Sequence, residues 1–303
     1  MQAAPLDPRT VKREQRTTWD GIGPGWEASL ETFERGAAAV TGRLLALGGV
    51  RRGHRVLDVA TGLGEPALAA ARMVGPAGRV LGTDISPAML EIARRRAGEL
   101  GNVKFAAGDL ESLDLEPGLA PGSFDVVLSR WGLMFAVDHA ALFRSLAGLL
   151  APGGVLAAAV WGPPQAVPMM SLGYSVLGER LELPPPPAGQ PGPFSMSDPG
   201  RLARVLAGAG FTGVSVEEFT VPFRFGSTRE WVDFTRAVTP RALIRRVGER
   251  FGSEDDPATW GAVGTAAERF RSADGGLSLP STALCLRAVA PSGGAPSGRP
   301  SSR

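Results

Sequence analysis

Apolar positions along the chain fall into two patterns that take turns. Short apolar runs of strand length recur from residue 55 onward: RVLDVA (55–60), RVLGTD (79–84), VKFAAGD (103–109), FDVVLSR (124–130) and GGVLAAAVW (153–161). Between them lie segments whose apolar residues return every three or four positions: PALAAARMV (66–74), SPAMLEIARRRAGEL (86–100) and HAALFRSLAGLL (139–150). The runs are apolar at consecutive positions, as strands covered on both faces are, and the segments carry an apolar stripe suited to packing on a sheet. Ser86 and Asp138 stand as N-caps, and Pro66 and Pro87 take early helical positions where a missing N–H costs nothing. This alternation predicts an α/β fold, a mostly parallel sheet with helices on both faces.

The flanking segments read differently. Residues 10–48 carry Trp19, Trp26, Leu30, Phe33, Val40, Leu44 and Leu45, interrupted by GIGPG at 21–25. That predicts two helices, the second beginning near Trp26 and ending at Gly48–Gly49. Residues 162–197 break the alternation with PPQAVP and PPPPAGQPGP, the mark of an insertion with a Pro-rich turn. A capped helix follows over 198–211 and a strand over 214–225. Helical segments are expected over 227–238, 240–251 and 257–270, and a last strand over 281–290. The expected organisation is an N-terminal helical lid (1–48), a ligand-binding core (49–161), a Pro-rich lid insertion (162–197), the rest of the core with a helical cap insertion at 227–272 (198–290), and a disordered tail (291–303).

Composition removes several function classes. The net charge of the 303 residues is only +2, Lys12 and Lys104 are the only lysines, and no basic stripe is present, which argues against a nucleic-acid partner. One cysteine, Cys285, provides neither a disulfide framework nor a zinc cluster, so no metal is expected. No apolar run reaches about 18 residues, so no membrane span is expected, and no secretory leader is visible, so the expected location is cytoplasmic. The sequence leaves room for a homodimer.

The glycine turn DVATGLGEPA (58–67) carries the first chemistry. It satisfies G-x-G-x-x-A, a dinucleotide fingerprint, and lies where an open parallel sheet binds its ligand. A pyrophosphate wants free N–H groups at the following helix N-terminus. Here Glu65 brings a carboxylate and Pro66 removes a donor, which suits a cofactor bearing an ammonium and a sulfonium better than a phosphate. Asp84 ends the second strand, where a carboxylate can accept from both ribose hydroxyls, as it also does in nicotinamide enzymes. Gly108–Asp109 ends the third, where a carboxylate can accept from an adenine amino group.

Five stretches in register, VLDVATGLGEPAL, VLGTDISPAMLEIAR, VKFAAGDLESLD, FDVVLSRWGLMFAVD and LLAPGGVLAAAVW, resemble the class I S-adenosylmethionine-dependent methyltransferases across 56–161. The likeness is greatest to the branch of ubiquinone/menaquinone C-methyltransferases and small-molecule natural-product methyltransferases. The resemblance implies a Rossmann-like seven-stranded sheet whose last strand is antiparallel, and S-adenosylmethionine as cofactor with S-adenosylhomocysteine as product. It implies cofactor contacts from Ala60, Thr61, Gly62, Gly64, Asp84, Ile85, Met89, Gly108, Asp109, Leu110 and Ser129. Ala60 stands where the family has its first glycine, and a slightly altered turn with negative φ is expected there.

For the methyl acceptor, Trp19 on the N-terminal lid and the apolar patch Trp131, Met134 and Phe135 are candidates, with Tyr174 from the insertion. His139 is a candidate general base and Arg130 a candidate carboxylate holder. SRWG after the fourth strand departs from the Asp/Asn-Pro-Pro-aromatic stretch of enzymes that methylate base amino groups. The expected activity is therefore O-, C- or N-methylation of a small, apolar or aromatic metabolite, quinone-like or from natural-product biosynthesis. An NAD(P)-dependent oxidoreductase and a non-catalytic S-adenosylmethionine-binding protein are the alternatives.

Overall fold

The computed structural model describes residues 7–113, 119–185 and 189–292. Most of the expected tail and the middle of the Pro-rich turn lie outside the described residues.

Five parallel strands build the centre: β1 (Arg55–Val59), β2 (Arg79–Asp84), β3 (Val103–Ala107), β4 (Phe124–Arg130) and β5 (Leu150–Trp161). Two long strands, β6 (Thr212–Phe225) and β7 (Leu277–Val289), complete the sheet in the order β3-β2-β1-β4-β5-β7-β6. β7 inserts between β5 and β6 and runs antiparallel to both, as the resemblance implies. Helices α3 (Ala67–Val74) and α4 (Pro87–Ala97) connect the strands on one side of β1, and α5 (His139–Leu149) connects β4 to β5. Because such crossovers are right-handed and the chain winds outward in opposite directions from β1 and β4, they cover opposite faces. Strand order reverses between β1 and β4, so a crevice opens at the carboxyl ends of these two strands.

Five further helices frame that crevice or the outer sheet: α6 (Pro168–Arg180), α7 (Pro199–Gly208), α8 (Thr228–Val238), α9 (Arg241–Phe251) and α10 (Pro257–Ala267). Before them in the chain come α1 (Pro8–Ala28) and α2 (Leu30–Leu47). α2 packs across β4 to β7, and α1 lies along α4 and α8. Its fit to both is tight. A Cβ on Gly25 would stand 2.0 Å from the Ala237 carbonyl oxygen, and Gly23 lies against Met89 and Ile92. This corrects the expected break at GIGPG. The glycines let α1 approach its neighbours, Pro24 is carried inside the helix, and the chain turns at Ser29 instead.

Candidate active site

The glycine turn is held from beneath by Asp58. Its carboxylate is fully buried, and one oxygen accepts from the Thr61 hydroxyl (2.5 Å) and from the Ala67 N–H (2.9 Å). The other oxygen, Oδ1, has no partner among the described residues. Burial pushes the group up to about 7. Since its ordinary value is 3.8, the folded chain binds the extra proton, and this contribution to stability is lost as pH rises from about 4 to about 7. Asp58→Asn keeps one oxygen for both donors and places a neutral amide at the orphan position. It is expected to exceed the parent in denaturant midpoint at pH 8 and to lose that advantage near pH 4.

Ala60 opens the turn with φ +55, which corrects the expectation of a negative φ. The Thr61 N–H donating to the Thr83 carbonyl (2.9 Å) and the Gly62 N–H donating to Asp84 Oδ2 (2.8 Å) fix the glycine-like course. An alanine in that conformation costs about 1–2 kcal/mol. Gly62 itself has φ +53 and lines the crevice, and a Cβ there would meet nothing within 4 Å. The turn is therefore an open cradle.

The donor set at the N-terminus of α3 decides between cofactors. The Ala67 N–H is taken by Asp58, Leu68 by the Gly64 carbonyl, Ala69 by Glu65 (3.2 Å) and Ala70 by the Pro66 carbonyl. Pro66 has no N–H to give. A pyrophosphate would find the first-turn N–H groups of α3 already taken or missing and a carboxylate beside them, so the dinucleotide alternative is not favoured.

Beyond the turn, Asp84 is almost fully buried and still lines the crevice. Oδ2 holds Gly62 and Oδ1 accepts from the Ser86 N–H (2.9 Å), while burial raises the group to about 6. A ribose diol would bring two further donors to these oxygens. Asp109 lies at the end of β3, where Lys12 from α1 bridges it (2.6 Å) and Glu111 (3.0 Å). Burial opposes the Lys12 charge, but hydrogen bonds to both carboxylates outweigh it and raise its pKa. Ile85, Met89, Gly108 and Leu110 line the same end.

The other end is aromatic. Trp131 and Trp161 stack at 4.2 Å between centroids, and Phe33 meets Trp131 edge-on at 5.4 Å. Trp131 is held at φ +60 by its own N–H donating to the Ala159 carbonyl (2.7 Å). Trp19 of α1 packs edge-on against Phe135 at 5.1 Å, and Gln15 donates to the Phe135 carbonyl (2.9 Å). Trp26, Leu30, Met134 and Met170 complete the wall. The indole N–H groups of Trp26 and Trp131 are buried without a partner. With its mouth and the open solvent there, the space is about 1220 Å³.

The residues singled out in the sequence divide as follows. Ala60, Thr61, Gly62, Asp84, Ile85, Met89, Gly108, Asp109 and Leu110 line the crevice together with Trp19, Trp131, Met134 and Phe135. Gly64 and Ser129 do not: Gly64 sits over Leu68, and Ser129 is buried with its hydroxyl on the Val59 carbonyl (2.7 Å). His139 is likewise absent from the crevice lining. It lines a separate cavity with Ser195 and Arg201. Tyr174 also lies outside the crevice lining, where Met170, one turn earlier on α6, takes the place expected for it. Arg130 does line the crevice, but Glu34 takes it bidentately and the Thr41 hydroxyl (2.8 Å) and Ala37 carbonyl fill its remaining side. It is a brace between β4 and α2 and not a free carboxylate holder. Lys12, Glu34 and Arg96 went unseen in the sequence, since each acts through a partner far along the chain.

Comparison with known proteins agrees with this geometry. Residues 56–154 match the family model described as a methyltransferase domain. A stretch of 115 residues, 37% of this chain, is 40% identical to the ubiquinone/menaquinone biosynthesis C-methyltransferase of Azotobacter vinelandii and covers 44% of it. Over 108 residues, 36% of this chain, it is 36% identical to a demethylmenaquinone methyltransferase of Staphylococcus aureus and covers 43% of that protein. The chain thus spans less than half the length of these two relatives. Among solved structures, the YcgJ protein of Bacillus subtilis aligns with a TM-score of 0.54 at 21% identity, over 84% of this chain and 98% of that one. The crevice, its strand-end carboxylates and the matched segment agree: residues 56–154 form a methyltransferase domain on this sheet.

Proposed function

We propose that the protein transfers a methyl group from S-adenosylmethionine to an oxygen, carbon or nitrogen of a small, largely apolar aromatic metabolite. The observation that carries this reading is one continuous crevice. It joins Asp84 and Asp109 at one end to the stacked Trp131–Trp161 wall at the other. When bound, S-adenosylmethionine supplies a sulfonium methyl carbon open to in-line displacement. Asp84 orients the ribose by accepting its hydroxyls, and Asp109 with Leu110 holds the adenine. Phe33, Trp131 and Trp161 present ring faces and edges that align a planar acceptor and exclude water, so positioning supplies much of the rate. The buried indole N–H groups of Trp26 and Trp131 suit an acceptor with an oxygen to receive them.

In this reading α1 serves as the lid, pinned over the cofactor by Lys12. Among the described residues no helix is long and apolar enough to cross a membrane. A cytoplasmic setting suits the buried free thiol of Cys285. Calorimetry with S-adenosylhomocysteine is expected to show one site of micromolar affinity, and a panel of phenols and hydroquinones to yield a methylated product by mass spectrometry. Absence of binding at millimolar ligand overturns the reading. Binding with no turnover on any acceptor would favour a non-catalytic S-adenosylmethionine-binding protein.

A further inference from the structure

The three cations that line the crevice differ in how fully they are engaged. Lys12 is taken by two carboxylates, and Arg130 by Glu34, Thr41 and Ala37. Arg96, from the last turn of α4, donates to the Leu63 carbonyl in the glycine turn and stands 3.6 Å from Glu65 Oε1. That separation is an ion pair without a hydrogen bond, so much of a five-donor guanidinium remains unspent. Glu65 is in the matching condition. Its Oε2 accepts from the Ala69 N–H, while Oε1 has only Arg96 and Arg72 at 3.6 and 3.9 Å. Both side chains are largely withdrawn from water, at 23% and 13% exposure, yet both line the crevice.

Their place along the crevice follows from α1. Lys12, near its start, bridges Asp109; Asp20 accepts from the Ser86 hydroxyl beside Asp84; Glu27, near its end, pairs with Arg95. Lys12 and Glu27 are about 22 Å apart at 1.5 Å per residue. The order along the lid is therefore adenine carboxylate, ribose carboxylate, then the α4 end that bears Arg96.

We propose that Arg96 and Glu65 form a clamp for the amino-acid end of the cofactor, Arg96 taking its α-carboxylate and Glu65 its α-ammonium. The proposal rests on the cofactor reading above. A zwitterion inserted between the two exchanges one loose ion pair for two hydrogen-bonded ones and leaves the net charge of the site unchanged. Burial raises the pKa of Glu65 and lowers that of Arg96, so each charge is underserved before the ligand arrives.

The test titrates the parent, Arg96→Met, Arg96→Lys and Glu65→Gln with two ligands by calorimetry. S-adenosylhomocysteine carries the amino acid; 5′-methylthioadenosine keeps the adenine, ribose and sulfur without it. Arg96→Met is expected to weaken S-adenosylhomocysteine by about 10- to 100-fold and leave methylthioadenosine within about twofold. Arg96→Lys should recover part of the loss, and Glu65→Gln should follow Arg96→Met with a smaller effect. An unchanged affinity for S-adenosylhomocysteine, or an equal loss for both ligands, overturns the clamp while the cofactor reading stands. If the parent binds neither ligand, both fall together.

Discussion

Asp84→Ala is expected to weaken S-adenosylhomocysteine by about 100- to 1,000-fold. Two hydroxyls donating to a buried carboxylate contribute about 1.5–3 kcal/mol each, and the lower part of their sum, about 3–4 kcal/mol, converts to that range. The site makes the effect large because Asp84 is nearly inaccessible to water and has a competing cost: burial alone raises it to about 6. The carboxylate also holds Gly62 and Ser86, so an alanine leaves two N–H groups unpaired at the mouth of the turn. Asp84→Asn separates the two contributions, since it keeps an oxygen acceptor but no charge, and it should fall between parent and alanine. The same carboxylate gives the binding a pH profile. Only the ionised form accepts from both hydroxyls, so affinity should decline as pH falls through about 6, and Asp84→Asn should lack that decline. Calorimetry between pH 5 and 8 measures both, and an unchanged affinity in Asp84→Ala would refute the ribose assignment.

Arg130→Met should cost the fold about 2–4 kcal/mol and lower the melting temperature by about 5–10 °C. The guanidinium is only 7% exposed, and its removal orphans Glu34, itself 21% exposed. Contact with the ring faces of Phe33 (5.7 Å) and Trp131 (5.5 Å) is lost as well. Because Glu34 keeps some water, the loss belongs at the lower end for breaking a buried pair. The double variant Arg130→Met/Glu34→Gln should recover a good part of it, since no charge is then left without a partner. A thermal melt of the three variants checks this. An Arg130→Met protein of parental stability that merely binds acceptor less well would return Arg130 to the substrate.

The sheet was legible because each central strand is a run of consecutive apolar residues bounded by a turn, and the five runs alternate with helical segments. The strand-end carboxylates were legible for the same reason: Asp84 closes its strand and Asp109 comes just after its own. Failures came where position along the chain does not fix direction in space. His139 opens the helix directly after Phe135's loop on the same side of β4 in sequence, yet it lines a different cavity. Ser129 sits near a strand end but is buried with its hydroxyl on the Val59 carbonyl, away from the crevice where a cofactor contact was expected. GIGPG has the letters of a helix break, and only the neighbouring helices show that its glycines are clearances for close packing. Lys12 and Arg96 carry no local mark, since their partners lie 97 and 33 residues away.

The crevice has a floor and a roof drawn from different parts of the chain. The turn, the strand-end carboxylates and Trp131 belong to the segment shared with other methyltransferases, whereas Phe33, Trp26, Trp161 and Met170 lie outside it. The two parts can therefore diverge at different rates. Under the proposed function, substitutions in the roof would retailor the acceptor without touching the turn and the carboxylates that take the methyl donor, so the matched segment could serve proteins that modify unrelated metabolites.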